Sequence, residues 1–335
     1  MKEKDIMGYI EGKVSVVIPT YKRSDTLARA IISVKNQTYP NIEILVVDDN
    51  EPGDEYSREV AALVSSLGFD NLFLVTQDRH INGAAARNAG IRRADGEFIS
   101  FLDDDDLWLP DKIDRQVSFI RTLDNSFGGV STRKIFYLNG NPDHISETWK
   151  YTKNQNYRVL SKQLNIQTCT LLLRRTALDE MGYFDENLRR HQEVQLMSFF
   201  TQKYKVEFMD DLTTVIDCSD VSNRPSAQKL MEFKQNYFNS VKPVVARYGK
   251  HKQKLIVKHN MTEVAYAVYR DKSKGKGLMQ LLGCLIYPSV TASFLKRFIL
   301  KKQSRTAIRS ADRDRIDAIT AYVQRCEEQA QACAH

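Results

Sequence analysis

Apolar and polar positions alternate with two different periods along the first hundred residues. Four short runs have the composition of buried strands, at residues 14–18, 42–47, 72–76 and 98–102. Apolar residues at helical spacing mark the three segments between them, residues 25–36, 55–67 and 84–94. Strands that alternate with helices in this way predict an α/β fold with a mostly parallel sheet and helices on both faces.

The pattern is mixed in the middle of the chain and helical toward its end. Helices are predicted at residues 110–123, 176–181, 194–204, 227–248, 251–269 and 312–333. Other apolar segments predict a strand at residues 128–137, a further run at 169–173 and a strand pair at 206–217, with a loop at 139–156. We therefore expect an α/β domain over residues 1–220 and a helical C-terminal extension over residues 221–335.

The charge of the chain is divided unevenly between these two parts. The 335 residues carry a formal net charge of +7, but residues 224–309 contain nineteen Lys and Arg against three Asp and Glu, a net of +16. The rest of the chain therefore has a net charge of −9. Such a basic region favours an anionic surface, either lipid or nucleic acid, and a solvated helical face without a partner is the plain alternative.

Three features bear on the compartment in which the chain works. Residues 277–295 contain no charged residue but are interrupted by Gly, Pro, Ser and Thr, so we expect a segment that lies in the membrane interface rather than a span or a buried helix pair. Five scattered cysteines without a CxxC pair argue against a disulfide framework or a zinc site and fit a reducing cytosol. Residues 1–5 lack the apolar segment of a secretory signal.

Four polar loops follow the predicted parallel strands at their carboxyl ends. In chain order they contain Pro19, Thr20, Tyr21 and Arg23, then Asp48, then Arg87, and finally the acidic block of residues 103–106. The carboxyl ends of parallel strands share one crevice, where open α/β sheets bind ligands. Each signal alone could be an ordinary turn, a helix face or a core-edge aromatic. Together they suit the recognition of a nucleotide diphosphate.

The acidic block consists of four adjacent carboxylates, which repel one another unless something positive joins them. Mg²⁺ or Mn²⁺ would do so, because hard divalent cations prefer carboxylate and phosphate oxygens. Alternate residues of a strand share a face, so we expect Asp103 and Asp105 to point the same way. A solvated acidic turn before a helix is the alternative. The fingerprints GxGxxG and GxxxxGK[ST] are absent from the sequence, which argues against Rossmann hydride chemistry and P-loop hydrolysis.

Four motifs stand in order along the chain, VSVVIPTY at residues 14–21, ILVVDD at 44–49, GAAARNAG at 83–90 and GEFISFLDDDD at 96–106. In this order they resemble the family 2 glycosyltransferases with the GT-A fold, over about residues 14–220. The resemblance implies that Asp105 binds Mn²⁺ or Mg²⁺, with Asp103 on the metal or on the ribose. It also implies nucleotide contacts from Pro19, Thr20, Tyr21, Arg23, Asp48, Arg87 and Asp104.

The family also carries a catalytic base after a Gly-aromatic-Asp-Glu turn. Residues 182–186 (GYFDE) match that turn, and Glu193 then falls at the base position, where Asp is commoner. Such a carboxylate would take the proton of the acceptor hydroxyl during in-line attack on the anomeric carbon, which inverts its configuration. His191 is a rival base, because the ordinary pKa of histidine lies nearer neutrality. A later loop could fold over the nucleotide or remain a surface loop, and its candidate contacts are Arg224, Ser226 and Lys229.

The resemblance and the basic C-terminal region together imply a bacterial inverting hexosyltransferase. It would move a hexose from a UDP-sugar to a saccharide acceptor, such as one on a polyprenyl diphosphate, and form a β-glycosidic bond in O-antigen or capsule biosynthesis. It would be cytoplasmic and peripheral to the inner face of the cell membrane. A nucleotide-binding protein with a basic nucleic-acid-binding or regulatory region would leave the acidic block and Glu193 unused, so no nucleic-acid partner is expected. A nucleotidyltransferase would show a Gly-rich phosphate loop, which residues 14–23 lack.

Overall fold

The computed structural model describes residues 8–164, 166–220, 224–271, 274–310 and 313–333. Residues 1–5, where no secretory signal is expected, and residue 221, where the predicted extension starts, lie outside these ranges. The strands of the described residues form one sheet: β1 (Ile10–Thr20), β2 (Ile42–Asp48), β3 (Leu72–Thr76), β4 (Gly96–Phe101), β5 (Leu107–Trp108), β6 (Phe127–Leu138), β7 (Asn141–Ile145), β8 (Leu171–Arg174) and β9 (Lys205–Asp217).

Helices account for most of the remaining described residues. Seven of them lie between strands along the chain: α1 (Ser24–Lys35), α2 (Glu55–Leu67), α3 (Gly83–Arg93), α4 (Lys112–Ile120), α5 (Gln155–Leu160), α6 (Arg175–Met181) and α7 (Gln192–Phe200). Five follow the last strand: α8 (Ala227–Val245), α9 (Lys250–Arg270), α10 (Lys274–Leu285), α11 (Pro288–Ser310) and α12 (Arg313–Cys333). A short 3₁₀ helix, Thr168–Thr170, leads into β8.

The first four long strands form the parallel half of the sheet, in the order β3-β2-β1-β4. The apolar runs of β1, β2 and β4 are buried on both faces, as parallel strands between helices require, whereas the edge strand β3 is partly exposed. The register aligns Thr20 with Asp48 and Asp48 with Thr76, so the loops after β1, β2 and β3 leave the sheet at one level. The predicted α/β alternation is confirmed over this half.

The second half of the sheet is mixed, because β8 runs antiparallel to β4 and β6, while β9 is parallel to β6 and antiparallel to β5. Two predictions are wrong here. The expected loop at residues 139–156 contains β7, because Asn139 and Gly140 both have positive φ, 51° and 73°, and form the tight turn of a hairpin. The expected strand pair at residues 206–217 is the single strand β9, whose two acidic residues at 210–211 lie in a bulge beside β6 rather than in a turn.

The C-terminal helices pack on both sides of this sheet. Ile316 and Ile319 of α12 belong to the same buried cluster as Ile31 of α1. On the other face, Tyr237 of α8 and Ile256 of α9 join the cluster that contains the β1 and β4 side chains. The division of the chain after residue 220 remains a prediction.

Helices α10 and α11 contain the uncharged segment of residues 277–295. No single helix of the described residues is long and apolar enough to cross a membrane. These two helices meet the length and composition of a span only as a pair, and they are bent by 115° at the break between them.

Candidate active site

The acidic block forms a turn at the carboxyl end of β4. The strand ends at Phe101, and the backbone N–H of Asp106 donates to the carbonyl oxygen of Asp103 at 3.1 Å. The expectation from strand alternation is therefore wrong, because Asp103 and Asp105 lie in a turn rather than in a strand. Their side chains nevertheless stay accessible, whereas those of Asp104 and Asp106 are buried.

Arg23, just before α1, contacts this turn. Its guanidinium pairs with Asp105, reaches Asp104 at 3.4 Å and pairs with Asp220 at 2.7 Å. Burial lowers the pKa of Arg23, but these three carboxylates outweigh burial and raise it. A phosphate that approached Arg23 would therefore compete with the protein's own carboxylates for the guanidinium.

Arg87, on α3, connects the turn with α7. One guanidinium nitrogen donates to Asp103 Oδ1 at 2.5 Å, and the other donates to Gln192 Oε1 at 3.1 Å. The side chain is deeply buried, which excludes an exposed helix face for it. Burial lowers the pKa of Arg87, but the carboxylates of Asp103 and Glu193 raise it overall. Arg87 thus lies between the acidic turn and the candidate base.

The carboxyl groups of the turn carry more negative charge than the two arginines neutralise. Burial and the charge of Asp105 raise the pKa of Asp104 to about 7, and burial and the charge of Asp103 raise that of Asp105. Burial and the charge of Asp105 also raise the pKa of Asp106 well above its usual value. Asp106 supports the turn by accepting a hydrogen bond from the backbone N–H of Asp217 at 3.1 Å.

A divalent cation fits this surplus of negative charge. No three His, Cys, Asp or Glu side chains of the described residues converge to hold a metal by themselves. Mg²⁺ does not require three protein ligands, because it is usually bound by one or two carboxylates together with substrate phosphates and water. Asp105 and Asp103 can supply the carboxylate oxygens, and a nucleotide diphosphate can supply the phosphate oxygens. The donor set therefore suits a metal that binds together with its substrate.

The residues at the end of β1 that are expected to contact the nucleotide lie beside the acidic turn. Pro19 and Thr20 end the strand, and the Thr20 hydroxyl donates to Asp104 Oδ2 at 2.9 Å. Tyr21 is 40% exposed and stacks on His80, with ring centroids 4.0 Å apart. The exposed part of the phenol ring is an aromatic surface suited to contact a base.

Asp48 lines a separate cavity of about 460 Å³ at the end of β2. Its carboxylate accepts hydrogen bonds from the Ser57 hydroxyl at 2.6 Å and from the Asn50 amide at 2.8 Å. The other lining residues are Pro52, Gly53, Thr76, Gln77 and Asp78. Carboxylate and amide groups around one small cavity are suited to the polar edge of a base or to ribose hydroxyls.

A cleft of about 640 Å³ brings the acidic turn and the candidate base together. Asp103, Arg87 and Glu193 all line it, although they lie far apart in the sequence. Glu193 lies in the first turn of α7, and no side-chain hydrogen bond or salt bridge within the described ranges engages its carboxylate. The preceding residue, Gln192, is held by Arg87 and by the carbonyl oxygen of Leu188. An unpaired carboxylate beside an open cleft is suited to accept a proton.

His191 is poorly suited to act as the base. Burial and the charges of Lys234 and Lys162 lower its pKa to about 2, so the imidazole is neutral and only weakly basic at physiological pH. The two lysines both pair with Glu263 of α9, and the Lys234 bond measures 2.7 Å. Despite burial, these lysines lower the pKa of Glu263. The C-terminal helices thus contribute a charged network to the floor of the cleft.

Sequence reasoning missed the supporting residues His80 and Glu263, whereas Asn88 belongs to the third of the strand-end segments. His80 follows β3 in a polar run, at the same sheet edge as the other loops, and that position was an available signal. Asn88 is buried and donates to the Phe184 carbonyl oxygen at 2.9 Å, so the alternative of an exposed helix face is wrong for it. Glu263 has no local signal, because its role depends on how α9 packs.

The loop before α8 contributes Arg224 and Pro225 to the cleft. Ser226 instead caps α8 by accepting a hydrogen bond from the backbone N–H of Lys229 at 3.3 Å, and the Lys229 side chain is exposed. Of the three candidate contacts in this loop, only Arg224 faces the cleft.

The family model for glycosyl transferase family 2 matches residues 15–182, which is half of the chain. The chain belongs to glycosyl transferase family 2. The family resemblance expected from the four motifs is thus confirmed, and the protein is a glycosyltransferase.

Curated relatives match different shares of the chain. The amylovoran biosynthesis glycosyltransferase AmsB of Erwinia amylovora is 28% identical over 87% of this chain and 97% of its own length. The UDP-Glc:α-D-GlcNAc-diphosphoundecaprenol β-1,3-glucosyltransferase WfaP of Escherichia coli is 30% identical over 51% of this chain and 64% of its own length. Three uncharacterised glycosyltransferases of Rickettsia species are matched over only 24–27% of their length.

Solved structures share the fold over nearly the whole chain. S. aureus TarS in complex with UDP-GlcNAc has a TM-score of 0.58 at 18% identity, over 90% of this chain and 92% of that one. The mannosyltransferase PcManGT of Pyrobaculum calidifontis, in complex with GDP-Man and Mn²⁺, has a TM-score of 0.52 at 19% identity, over 96% and 86%. The predicted GT-A fold with a helical C-terminal region is confirmed.

Proposed function

We propose that this glycosyltransferase moves a hexose from a UDP-sugar to a saccharide acceptor carried on a lipid diphosphate, in the biosynthesis of a bacterial surface polysaccharide such as O-antigen or capsule. The observation that carries the proposal is the single cleft shared by Asp103, Arg87 and Glu193, whose carboxylate makes no hydrogen bond or salt bridge to the described residues. A metal-binding turn and a proton acceptor around one space are what a direct transfer between two bound substrates requires.

The relatives support the substrate classes. AmsB is named for the biosynthesis of amylovoran, and WfaP and WfgD are named for glucosyl transfer from UDP-Glc to GlcNAc-diphosphoundecaprenol with a β-1,3 linkage. The TarS structure holds UDP-GlcNAc. These names favour a UDP-sugar donor and a lipid-linked acceptor for this chain.

The proposed reaction is a single displacement. The acceptor oxygen forms a bond to the anomeric carbon as the bond to the diphosphate breaks, and the acceptor proton passes to the Glu193 carboxylate. The opposite approach of the two oxygens inverts an α-linked donor to a β-glycoside. Mn²⁺ or Mg²⁺, held by Asp105 and Asp103, would neutralise the departing diphosphate. Arg87 keeps Asp103 and α7 in a fixed relation while this happens.

We place the enzyme in the cytoplasm, peripheral to the inner face of the membrane. Four side chains of α10 and the following turn are strongly exposed and apolar, namely Leu278, Met279, Leu282 and Ile286. Lysines flank them in the most basic part of the chain. Apolar side chains beside lysines favour an interface between anionic headgroups and acyl chains.

The test is nucleotide release from a panel of nucleotide sugars, with and without Mn²⁺ or Mg²⁺, in the presence of a GlcNAc-diphospho-lipid. Glu193→Gln should keep metal-dependent UDP binding and lower transfer by about 10²–10⁴-fold, the range for a general base. Glu232→Gln, at an exposed carboxylate of α8, is the matched control and should be normal. Near-normal turnover by Glu193→Gln would refute the assignment of the base, and no release with any donor would refute the transfer reaction.

A further inference from the structure

A second cavity adjoins the catalytic cleft at Glu193. It measures about 310 Å³ and lies between β6, β7, β9 and α11. Three side chains line both spaces, those of Lys162, Glu193 and Glu263. The carboxylate of the candidate base therefore borders two cavities, one on the side of the acidic turn and one on the side of α11.

The two cavities differ in chemical character. The catalytic cleft is strongly cationic, and its arginines are Arg87, Arg189, Arg190, Arg224 and Arg270. The second cavity has an apolar and aromatic part, formed by Phe136, Trp149, Leu164, Ile166, Phe208 and Met209, and a charged part that includes Arg133, Lys134 and Lys301. The arginine-rich cleft suits the diphosphate of the nucleotide. In the second cavity, the aromatic and aliphatic walls suit the apolar face of a sugar ring, and the cations suit the diphosphate that joins this sugar to its lipid.

Helix α11 connects the second cavity with the apolar surface of the C-terminal region. It is fixed to the edge strand β7, because the Ser304 hydroxyl donates to the Ile145 carbonyl oxygen at 3.0 Å and Arg305 pairs with Asp143 at 2.6 Å. Leu300 of this helix lines the cavity. Leu295, on the same helix, is 52% exposed. One helix thus borders both the interior cavity and the surface proposed to meet the membrane.

We infer that the second cavity is the acceptor subsite, which holds the saccharide of a lipid-linked acceptor with its hydrocarbon directed along α11. The inference rests on the proposed function. In a single displacement, the attacking hydroxyl and the leaving diphosphate lie on opposite sides of the anomeric carbon. Arg87 and Asp103 place the donor diphosphate at the acidic turn, and Glu193 is shared with the second cavity, so we assign the acceptor hydroxyl to that cavity.

Leu300→Trp tests this assignment, because Leu300 is half-buried at the outer wall and a larger ring there narrows the cavity. The assay uses the full-length chain, a UDP-sugar that the wild type accepts and a GlcNAc-diphospho-lipid. We expect the KM for the lipid acceptor to rise by about tenfold or more. UDP binding and the slow release of UDP without acceptor should stay unchanged. Gln324→Trp, at an exposed position of α12 that lines neither cavity, should match the wild type in every measurement.

An unchanged acceptor KM in Leu300→Trp would overturn the assignment, and so would an equal loss of donor binding. If that variant does not fold, Trp149→Ala decides instead, since Trp149 is a half-buried part of another wall and its loss should also raise the acceptor KM alone. If the wild-type chain neither binds nor cleaves any nucleotide sugar, the proposed function is refuted, and that result is distinct from a failure of the acceptor-subsite assignment alone.

Discussion

Lys112 is a buried lysine at the start of α4, and its replacement should change stability in a pH-dependent way. Its side chain is fully buried, and Nζ donates to Gln116 Oε1 at 2.6 Å and lies 3.9 Å from the centroid of the Trp108 ring. Burial lowers its pKa from 10.5 to about 7. The folded protein therefore gives up a proton near neutrality that the unfolded chain keeps.

The size of the effect follows from this difference in pKa. Between pH 7 and pH 10.5 the unfolded state binds more protons at this site, so the free energy of unfolding rises with pH. Each pKa unit corresponds to about 1.4 kcal/mol, so Lys112 costs about 4 kcal/mol at pH 7 and about 2 kcal/mol at pH 9. Lys112→Met removes this cost but leaves the Gln116 oxygen unpaired, which costs about 2 kcal/mol. The variant should be about 2 kcal/mol more stable at pH 7 and about equal at pH 9.

Urea unfolding of the wild type and of Lys112→Met at the two pH values measures this difference. Lys150→Met is the control, because Lys150 is exposed and its replacement should have the same small effect at both pH values. A difference between wild type and Lys112→Met that does not change from pH 7 to pH 9 would show that the buried lysine keeps its proton in the folded state. The reasoning about burial would then be wrong.

Two further substitutions address the site and the role of the last helix. Arg87→Lys keeps the charge but cannot donate to both partners of the bridge, so transfer should fall by about 10–100-fold, equivalent to 1.5–3 kcal/mol. Arg92→Lys, at an exposed position of the same helix, should be neutral in the same kinetic assay. Ile319→Ala should lower the free energy of unfolding by about 2–4 kcal/mol, because Ile319 is buried against the sheet domain. Gln324→Ala, at an exposed position of the same helix, should leave the free energy of unfolding unchanged. Equal denaturation midpoints for the wild type and Ile319→Ala would show that α12 does not unfold together with the sheet domain.

The parallel half of the fold was predictable because three of its four strands, β1, β2 and β4, are buried on both faces. Such a strand is a short unbroken apolar run, and helical periodicity separates it from the next run. The mixed half is harder, since its strands also carry polar residues. A local signal was nevertheless present at Asn139-Gly140, a dipeptide that favours the turn of a hairpin and marks β7. The bulge in β9 has no comparable signal, because it depends on the register with β6.

The positions of the candidate site residues were predictable, but the hydrogen bonds and salt bridges between their side chains were not. Strand-end loops converge whatever their residues, so the positions of Thr20, Asp48, Arg87 and the acidic turn follow from topology. The choice of Asp103 rather than Asp105 as the partner of Arg87 does not, because it depends on the turn that replaces the expected strand. The same holds for the pairing of Glu263 with two lysines from distant segments.

The arrangement of charges supports the proposal that Glu193, rather than another acidic group of the cleft, accepts the proton. Asp103 is paired with Arg87, and Glu263 is paired with Lys162 and Lys234. Each of these carboxylates would have to break a charged hydrogen bond before it could take a proton, and such bonds contribute about 1.5–3 kcal/mol. Glu193 makes no such bond within the described ranges, and it borders both cavities. The cations that pair with the two other carboxylates are Arg87 of α3, Lys234 of α8 and Lys162 after α5. The C-terminal helices therefore help to leave the Glu193 carboxylate available.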